Sequence, residues 1–430
     1  MWKWLLNNKG FATLNTHTYV SGAEWDYGIP EFWSSRLFED GMRRAFWGSK
    51  FEGKEGSSKP IITKDDFTKG SGDKIHFQVM SELISSGKTG EDTLQGYEDK
   101  LAMAQFDLTV DWIRNAVSFT ENLERRVNFP VMQVARQKLS DWMARYIDES
   151  MDTQLITTES SAEVVYAGNA TALAGLGEDD TFGCEEIDRI KLALQRKGAI
   201  PIQVKMKDGE ELDTYGIVIS EVDEYWLKGD DTWQQAQRDA NVRGQDNPIF
   251  TGALGIYNGC ILYVKRSVKS GYNIQGSALR PECRLYTGIA ASGETTITVG
   301  SNTLANYTKF FSSTGTLRID SEEITYTSKT AYTFTISNST RAQNGTTAAA
   351  HIAGALITQR NVSIQIGFGA EVAVRGWGMK PTPITQTYDY GFENGIGIKA
   401  IFGQVAVKNS LSIPKNYLLC KSYAKNPGTI

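Results

Sequence analysis

Apolar and polar residues alternate with a period of two over several short stretches, and with a period of three to four over one long stretch. The pattern therefore predicts many strands and one dominant helix. From Pro130 to about Leu155 the apolar positions form two rows. Val131, Ala135, Leu139, Trp142 and Tyr146 make one; Met143, Ile147, Met151 and Leu155 make the other. Both rows keep the spacing of a helical face. Pro130 suits a first turn, where a missing N–H costs nothing, and Asn128 is a nearby capping residue. A helix over about 130–155 would run about 38 Å at 1.5 Å per residue, long enough to span a domain. A shorter helix is expected over Glu185–Lys197.

The period-two stretches predict hairpins. Lys74–Met80 alternates through Val79; glycines and polar residues follow from Ser85 to Asp92, and Thr93–Tyr97 reads as a shorter return. This is a projecting flap with a glycine-rich tip, and an isolated hairpin is too weak to stand without a neighbour. Ile200, Ile202, Val204 and Met206 alternate before an Asp208–Gly209 turn, and Tyr215, Ile217 and Ile219 alternate after it. Asp223–Asn241 reads as helical or irregular. Further strands are expected at Cys260–Val264, at Val362–Phe368 and at Ile396–Phe402.

Two regions depart from this pattern. The first sixty residues scatter Trp25, Phe32, Trp33, Phe38, Phe46, Trp47 and Phe51 through weakly periodic, glycine-interrupted sequence. Such a segment reads as an extended arm that buries its aromatics on something else. The second region runs from about Tyr286 to Thr358. It is rich in Thr, Ser, Gly and Asn and holds no Trp, Met, Pro or Cys. Short β-like runs at 295–299, 316–319, 323–326 and 332–336 predict a small all-β module, inserted because strands of the earlier character resume after it.

Bulk properties narrow the function. A chain of 430 residues exceeds one comfortable core and implies two or three domains. The formal net charge of −5, with basic and acidic residues mixed throughout, argues against a dedicated nucleic-acid reader. The opening Met1–Leu6 turns polar at Asn7 and Asn8, too soon for a signal peptide. No run approaches a membrane span. A soluble protein without a membrane partner is expected. Cys184, Cys260, Cys283 and Cys420 are far apart and read as reduced, buried thiols.

Local chemistry is sparse. His17, His76 and His351 have no nucleophile motif beside them. Gly70-Ser71-Gly72-Asp73 lacks the Gly-Lys-Ser/Thr ending of a phosphate loop, and Gly367-Phe368-Gly369-Ala370 lacks the third glycine of a dinucleotide turn. The acidic groups Asp65–Asp66, Glu178–Asp180 and Asp230–Asp231 do not match a calcium loop. No catalytic residue, metal ligand or cofactor is expected.

Five stretches, in order, carry a family resemblance. Asp66–Phe77 resembles a Phe-x-Lys-Gly-x-Gly-Asp-x-hydrophobic-x-Phe hairpin. Gly90–Glu98 resembles its return, Gly-Asp-x-Thr-Leu-Glu-Gly-x-Glu, with one residue shifted and Gln95 in place of the acid. Asp111–Val117, Asn247–Gly259 and Tyr388–Gly391 complete the set. The chain thereby resembles the major capsid proteins of the N-four-like podovirus type, over about residues 25–410 outside the insertion. The resemblance implies an α+β Johnson-type capsid fold, that of the Hong Kong phage. Its parts would be an N-terminal arm (1–58), an extended hairpin loop (59–100), a peripheral domain with its spine helix (101–198), an axial domain (199–285), the inserted β-module (286–358) and return strands of both domains (359–430). The stretch Gly315–Tyr326 followed by Arg341–Thr347 is similar to a small β-module of assorted phage virion proteins.

These readings make the protein a self-assembling shell of hexamers and pentamers around a double-stranded DNA genome, in the virion, assembled in the host cytoplasm. Its partners would be itself, with a scaffolding protein, a portal and a decoration protein, and one face lying near packaged DNA. The subunit-contact candidates are Trp25, Phe32, Trp33, Phe38, Phe46 and Trp47 in the arm, and Phe67, Lys69, Gly70, Gly72, Asp73, Ile75, Phe77, Val79, Thr93, Leu94 and Gly96 in the hairpin. The alternatives are a tail or fibre component with a β adhesion module, and a polysaccharide hydrolase, for which no paired-carboxylate cleft is located.

Overall fold

The computed structural model describes residues 45–48, 50–54, 56–64, 74–80, 88–90, 95, 98, 103–128, 130–157, 164–205, 211–239, 255–266, 268–270, 273–300, 306–360, 363–408 and 416–425. Two large sheets and one long helix form the body.

The long helix is Val131–Thr157, 27 residues. The Pro130 carbonyl accepts from the amides of Gln133 and Val134, so proline opens the first turn as its chemistry favours. The row Leu139, Met143, Ile147, Met151 and Leu155 is fully buried, together with Ala135 and Ala144. Trp142 and Tyr146, expected in a core row, sit at its edge. The first sheet lies under this helix. Its order is Glu52–Gly53, Ile61–Lys64, Ala373–Tyr388, Glu393–Ala406, Asp111–Thr120. Ile396, Ile398, Ala400 and Phe402 alternate toward the helix and share a core with Ile113, Leu139, Met143 and Ile147.

The second sheet has the path Val164–Tyr166, Tyr417–Ser422, Ser363–Phe368, Glu211–Ser220, Cys260–Lys265, Ile256–Tyr257, with Ile202–Lys205 paired beside Glu211–Ser220. The strand Ser363–Phe368 is buried at all six positions. Its even residues face one core and Gly367 faces the helix Cys184–Arg196, where a Cβ would strike Ile190. That helix packs Ile187, Ile190 and Leu194 against Ile217, Ile219 and Leu418. A boundary at 198/199 therefore cuts through one packed unit. The Lys197–Gly198 turn ends the helix, and the chain then returns to the same core.

A third core joins the two units. Met151 and Leu155 of the long helix, Ile61, Ala373 and Ala406 of the first sheet, and Val218, Ile366, Phe368 and Leu419 of the second sheet surround Trp47 and Phe51. Trp47 is 2% exposed. Its Nε1 donates to Asp152 Oδ1 at 2.8 Å, and the amides of Phe46 and Trp47 donate to Asp148 at 2.8 Å each. Lys265 pairs with Asp152, which is why an aspartate is tolerated on the buried face. Burial pushes the Asp148 carboxyl up against the pull of Lys265 and the two amides. Trp47→Phe removes the N–H that bonds Asp152 and leaves part of the indole's buried space unfilled. It is expected to lower stability by about 1–3 kcal/mol in urea unfolding followed by circular dichroism.

The flap strands are Lys74–Met80 and Met103–Thr109, paired from Lys74↔Thr109 to Met80↔Met103. The return thus lies at 103–109, not at 93–97, and the hairpin reaches past residue 100. Ile61–Lys64, placed in the hairpin by sequence, belongs to the first sheet. The alternation of Met103–Thr109 is masked by Ala104 and Gln105, while the stronger turn signals upstream favour an earlier return. Leu108 buries fully against Ile62 and Val374, which fixes the flap base to the first sheet. Gly403 permits this approach, since a Cβ there would collide with the Thr109 carbonyl. Gly403→Ala is expected to cost about 1–3 kcal/mol, read as a lowered thermal midpoint.

Residues 282–359 build two further sheets, ordered Glu282–Arg284, Leu356–Gln359, Gly315–Ile319, Glu322–Tyr326 and Thr296–Thr298, Thr333–Thr335, Ser328–Lys329. They enclose one core of Ile297, Val299, Leu317, Ile324, Phe334 and Ile357, with Cys283 at its rim strand. The strands begin at Glu282, earlier than the change in composition at Tyr286, because Glu282 pairs with Thr358.

Candidate assembly surfaces

Most of the contact candidates fall outside the described residues: Trp25, Phe32, Trp33, Phe38, Phe67, Lys69, Gly70, Gly72, Asp73, Thr93, Leu94 and Gly96. Ile75 and Val79 have their backbones in the flap strand, opposite Leu108 and Ala104. Phe77 stacks on Phe106 at 5.0 Å between ring centroids, beside Leu108. One candidate is corrected. Trp47 packs within its own subunit, with the half-buried Phe46 edge-on to it at 5.2 Å, and has no surface left for a neighbour. A glycine-rich, aperiodic sequence was read as an arm seeking a distant surface, whereas its last aromatics fill the seam between the two sheets.

The first sheet offers a surface that sequence reasoning did not select. The helix covers one face. On the other, Trp112 lies opposite Ile401, Arg114 opposite Lys399, Ala116 opposite Gly397 and Ser118 opposite Gly395. Trp112 is 57% exposed. Alternation gives the reason: Ile113, Val117 and Phe119 point inward, so their even neighbours point out. Small residues flatten one half of this face, and the basic pair and then the apolar pair lie on one side of them. Opposed like charges are unfavourable unless a carboxylate joins them.

A second surface is the far end of the long strand pair. Tyr388–Phe392 turns with Asp389 and Tyr390 at positive φ (49° and 53°), before Gly391. Tyr390 is fully exposed and Phe392 and Leu123 are half-exposed, with the Glu121 amide donating to the Phe392 carbonyl at 2.8 Å. Asp389 and Tyr390 hold a backbone conformation that L side chains rarely adopt, and the turn presents Tyr390 to solvent. The motif Tyr388–Gly391 held the signal for it.

Reactive chemistry is weak throughout the described residues. Burial raises the Cys184 thiol to about 12 and Cys260 to about 11, and pushes Cys283 and Cys420 up as well. Such thiols are poor nucleophiles. His76 pairs with Asp107 at 2.6 Å on the exposed flap, and His351 sits between Asp320 and Glu322 at 2.8 and 2.9 Å. No cluster of three or more metal-ligating side chains occurs among the described residues. No helix among them is long and apolar enough to cross a membrane.

Exposed faces of this kind do not by themselves name a function; comparison with known families does. The sequence model of the family described as phage capsid protein matches residues 29–280, more than half of the chain. The chain belongs to the phage capsid protein family. Solved capsid structures share the fold of this capsid protein. The capsid of Ralstonia phage GP4 matches with a TM-score of 0.57 at 19% identity, over 90% of this chain and 93% of that one. The capsid asymmetric unit of cyanophage Pam1 gives 0.60 at 14% identity, over 97% and 99%. The acid-stable capsid of Helicobacter pylori bacteriophage KHP30 gives 0.53 at 12% identity, over 87% and 90%. No curated protein sequence matches the chain. The capsid protein is thus a major capsid protein with the Johnson-type mixed α/β fold, a structural component of the virion shell.

Proposed function

We propose that the chain assembles into hexamers and pentamers that close an icosahedral shell around double-stranded DNA, and that it does no catalysis. What supports this assembly mode is the match in charge and apolar character between the flap segment and the helix-free face of the first sheet. Residues 81–102, between the flap strands, hold five carboxylates (Glu82, Glu91, Asp92, Glu98, Asp99) against two lysines. The sheet face presents Arg114 and Lys399 beside Trp112 and Ile401. A flap laid across a neighbour's sheet joins opposite charges and covers apolar surface in one contact. Repeated head to tail around a centre, such a contact closes a ring. The arm residues ahead of Ala45 add contact area, and stable shells need large obligate interfaces, about 2,000 Å² or more.

Within the family, the motifs at 66–77, 90–98 and 388–391 support the N-four-like podovirus type. Assembly would proceed in the host cytoplasm, with a scaffolding protein, a portal and a decoration protein as partners. The test is electron microscopy of the expressed chain, alone and with candidate scaffolding proteins, and of virions. Closed particles in which this chain is the most abundant protein are expected. Density confined to the tail would overturn the reading.

Residues 286–358 are proposed to be an inserted β-module on the outer face of the shell. The family match ends at residue 280, just before the strand Glu282–Arg284, and the segment has a core of its own. An insertion at a subunit seam would clash in several quasi-equivalent environments, whereas an exposed one costs little loop entropy. Replacing Ser292–Ala355 by a Gly-Ser linker is expected to preserve shells and remove exterior density in a cryo-microscopy reconstruction. Loss of density from the inside would refute the placement.

A further inference from the structure

We infer that the two-sheet unit 282–359 is a brace across the body of its own subunit, holding the long-helix unit and the second-sheet unit at a fixed angle. It goes beyond the outer-face reading and does not depend on it.

The argument starts from where the two body units meet. Their shared core around Trp47 and Phe51 is largely apolar, and the Asp152–Lys265 pair ties the long helix to the second sheet at one point of its edge. Apolar contact is not directional, so it holds the units together without fixing their angle. Alongside this seam, at the long helix, is a cavity of about 300 Å³. Asp148, Asp152 and Arg145 of the helix, Lys265 of the second sheet, and Phe310 of the 282–359 unit line it. An open space beside an apolar joint is where relative rotation meets least resistance.

The 282–359 unit reaches both sides of that joint. On one side Lys309 pairs with Glu149 of the long helix. On the other, Arg318 pairs with Glu178, in the loop before the helix Cys184–Arg196, and stacks over Tyr423 at 5.4 Å. Tyr423 follows the second-sheet strand Tyr417–Ser422, and its amide donates to the Asp180 carbonyl at 2.9 Å. Arg318 is itself held within its unit, 3.9 Å from Glu323, which also pairs with Arg360 at 2.8 Å. A further tie sits at the unit's entrance: Arg280, which pairs with Glu282 of the unit, donates its Nη2 to the Lys425 carbonyl of the body at 2.9 Å. A rigid β unit with a core of its own and ionic feet on two different bodies opposes their rotation. Each foot alone is a partly exposed pair of small worth; their effect comes from spanning the joint.

The test uses the full-length subunit in solution, so it stands whether or not shells form. Glu149→Lys and Glu178→Lys each place a repelling charge on the body side and leave the 282–359 unit unchanged. Hydrogen exchange is expected to speed up several-fold at seam amides (147–157 and 364–373), with amides of 315–326 unaffected. The charge-swapped pair Glu149→Lys with Lys309→Glu should restore slow exchange. The unaltered subunit should show the same loosening as NaCl rises from low to high concentration, since exposed pairs are screened. Unchanged seam exchange in both single variants, or no rescue by the swap, would overturn the brace. Faster exchange inside 315–326 would also overturn it, by showing that the unit unfolds rather than lets go.

Discussion

A subunit in which residues 81–102 are replaced by a short turn is expected to remain folded and to form no shells. The register Met80↔Met103 leaves two antiparallel ends that a short turn can join. The parts that anchor the flap remain: Phe77 on Phe106, Leu108 under Ile62 and Val374, and the close passage of Thr109 over Gly403. What is lost is the projecting, acidic segment proposed to lie on the Trp112–Arg114–Lys399 face of a neighbour. At about 25 cal/mol per Å² of apolar surface, even a few hundred Å² per contact amounts to several kcal/mol before ordering costs. Each ring repeats the loss at every subunit. Circular dichroism and thermal melting should match the full-length subunit, while sedimentation and microscopy find only unassembled protein. Normal shells from the truncated chain would refute the contact. Trp112→Glu, which places a like charge before the flap's carboxylates, should reproduce the assembly defect without altering the flap.

Glu322→Ala should unfold residues 282–359 while leaving the two body sheets intact. Glu322 is fully buried and gathers the loop that follows it. Arg341 donates to both its oxygens at 2.8 and 2.6 Å, the amides of Ala342 and Ala349 donate at 3.3 and 3.0 Å, and His351 closes the cluster. Ala342 and Asn344 take positive φ, 53° and 54°, within this wrap, a strain that holds only while the carboxylate is there. Removing it strands a buried guanidinium, at a cost of about 3–5 kcal/mol. Limited proteolysis between Ser337 and Ala350 is the measurement. The same site fixes an acid response. Burial opposes ionisation of Glu322, but the bonds from Arg341, Ala349 and His351 outweigh it and bring the group down from 4.5 to about 2. With the folded value depressed, the stabilisation is complete above about 4.5 and is lost as the pH falls through about 2. The 282–359 unit should therefore survive at pH 4 and open near pH 2, as followed by tyrosine fluorescence. Opening already at pH 4 would contradict this account.

Local periodicity made the long helix, the strand Ser363–Phe368 and the strands at 315–319 and 322–326 legible, because a repeat of two or of three to four residues is a property of the segment itself, readable before anything is known of what covers it. The ordered motifs carried the family. Other features lie between segments and have no local signature. Sequence marks Phe46 and Trp47 as apolar but not whether they meet a neighbour or their own subunit; that was decided by Asp148 and Asp152, about a hundred residues away, which offer acceptors to their N–H groups. The return strand of the flap was misplaced because turn residues mark where a chain can reverse, whereas register is set by Leu108 burying on the first sheet. Trp112 lies in a family motif, yet its exposure follows from the long helix occupying one face of the sheet and the flap base covering only the part of the other face around Ile62 and Val374. By itself, then, the sequence determined the element types and the family. The tertiary structure alone decided which apolar residues are core and which are contact surface, since that depends on which faces the packed elements leave uncovered.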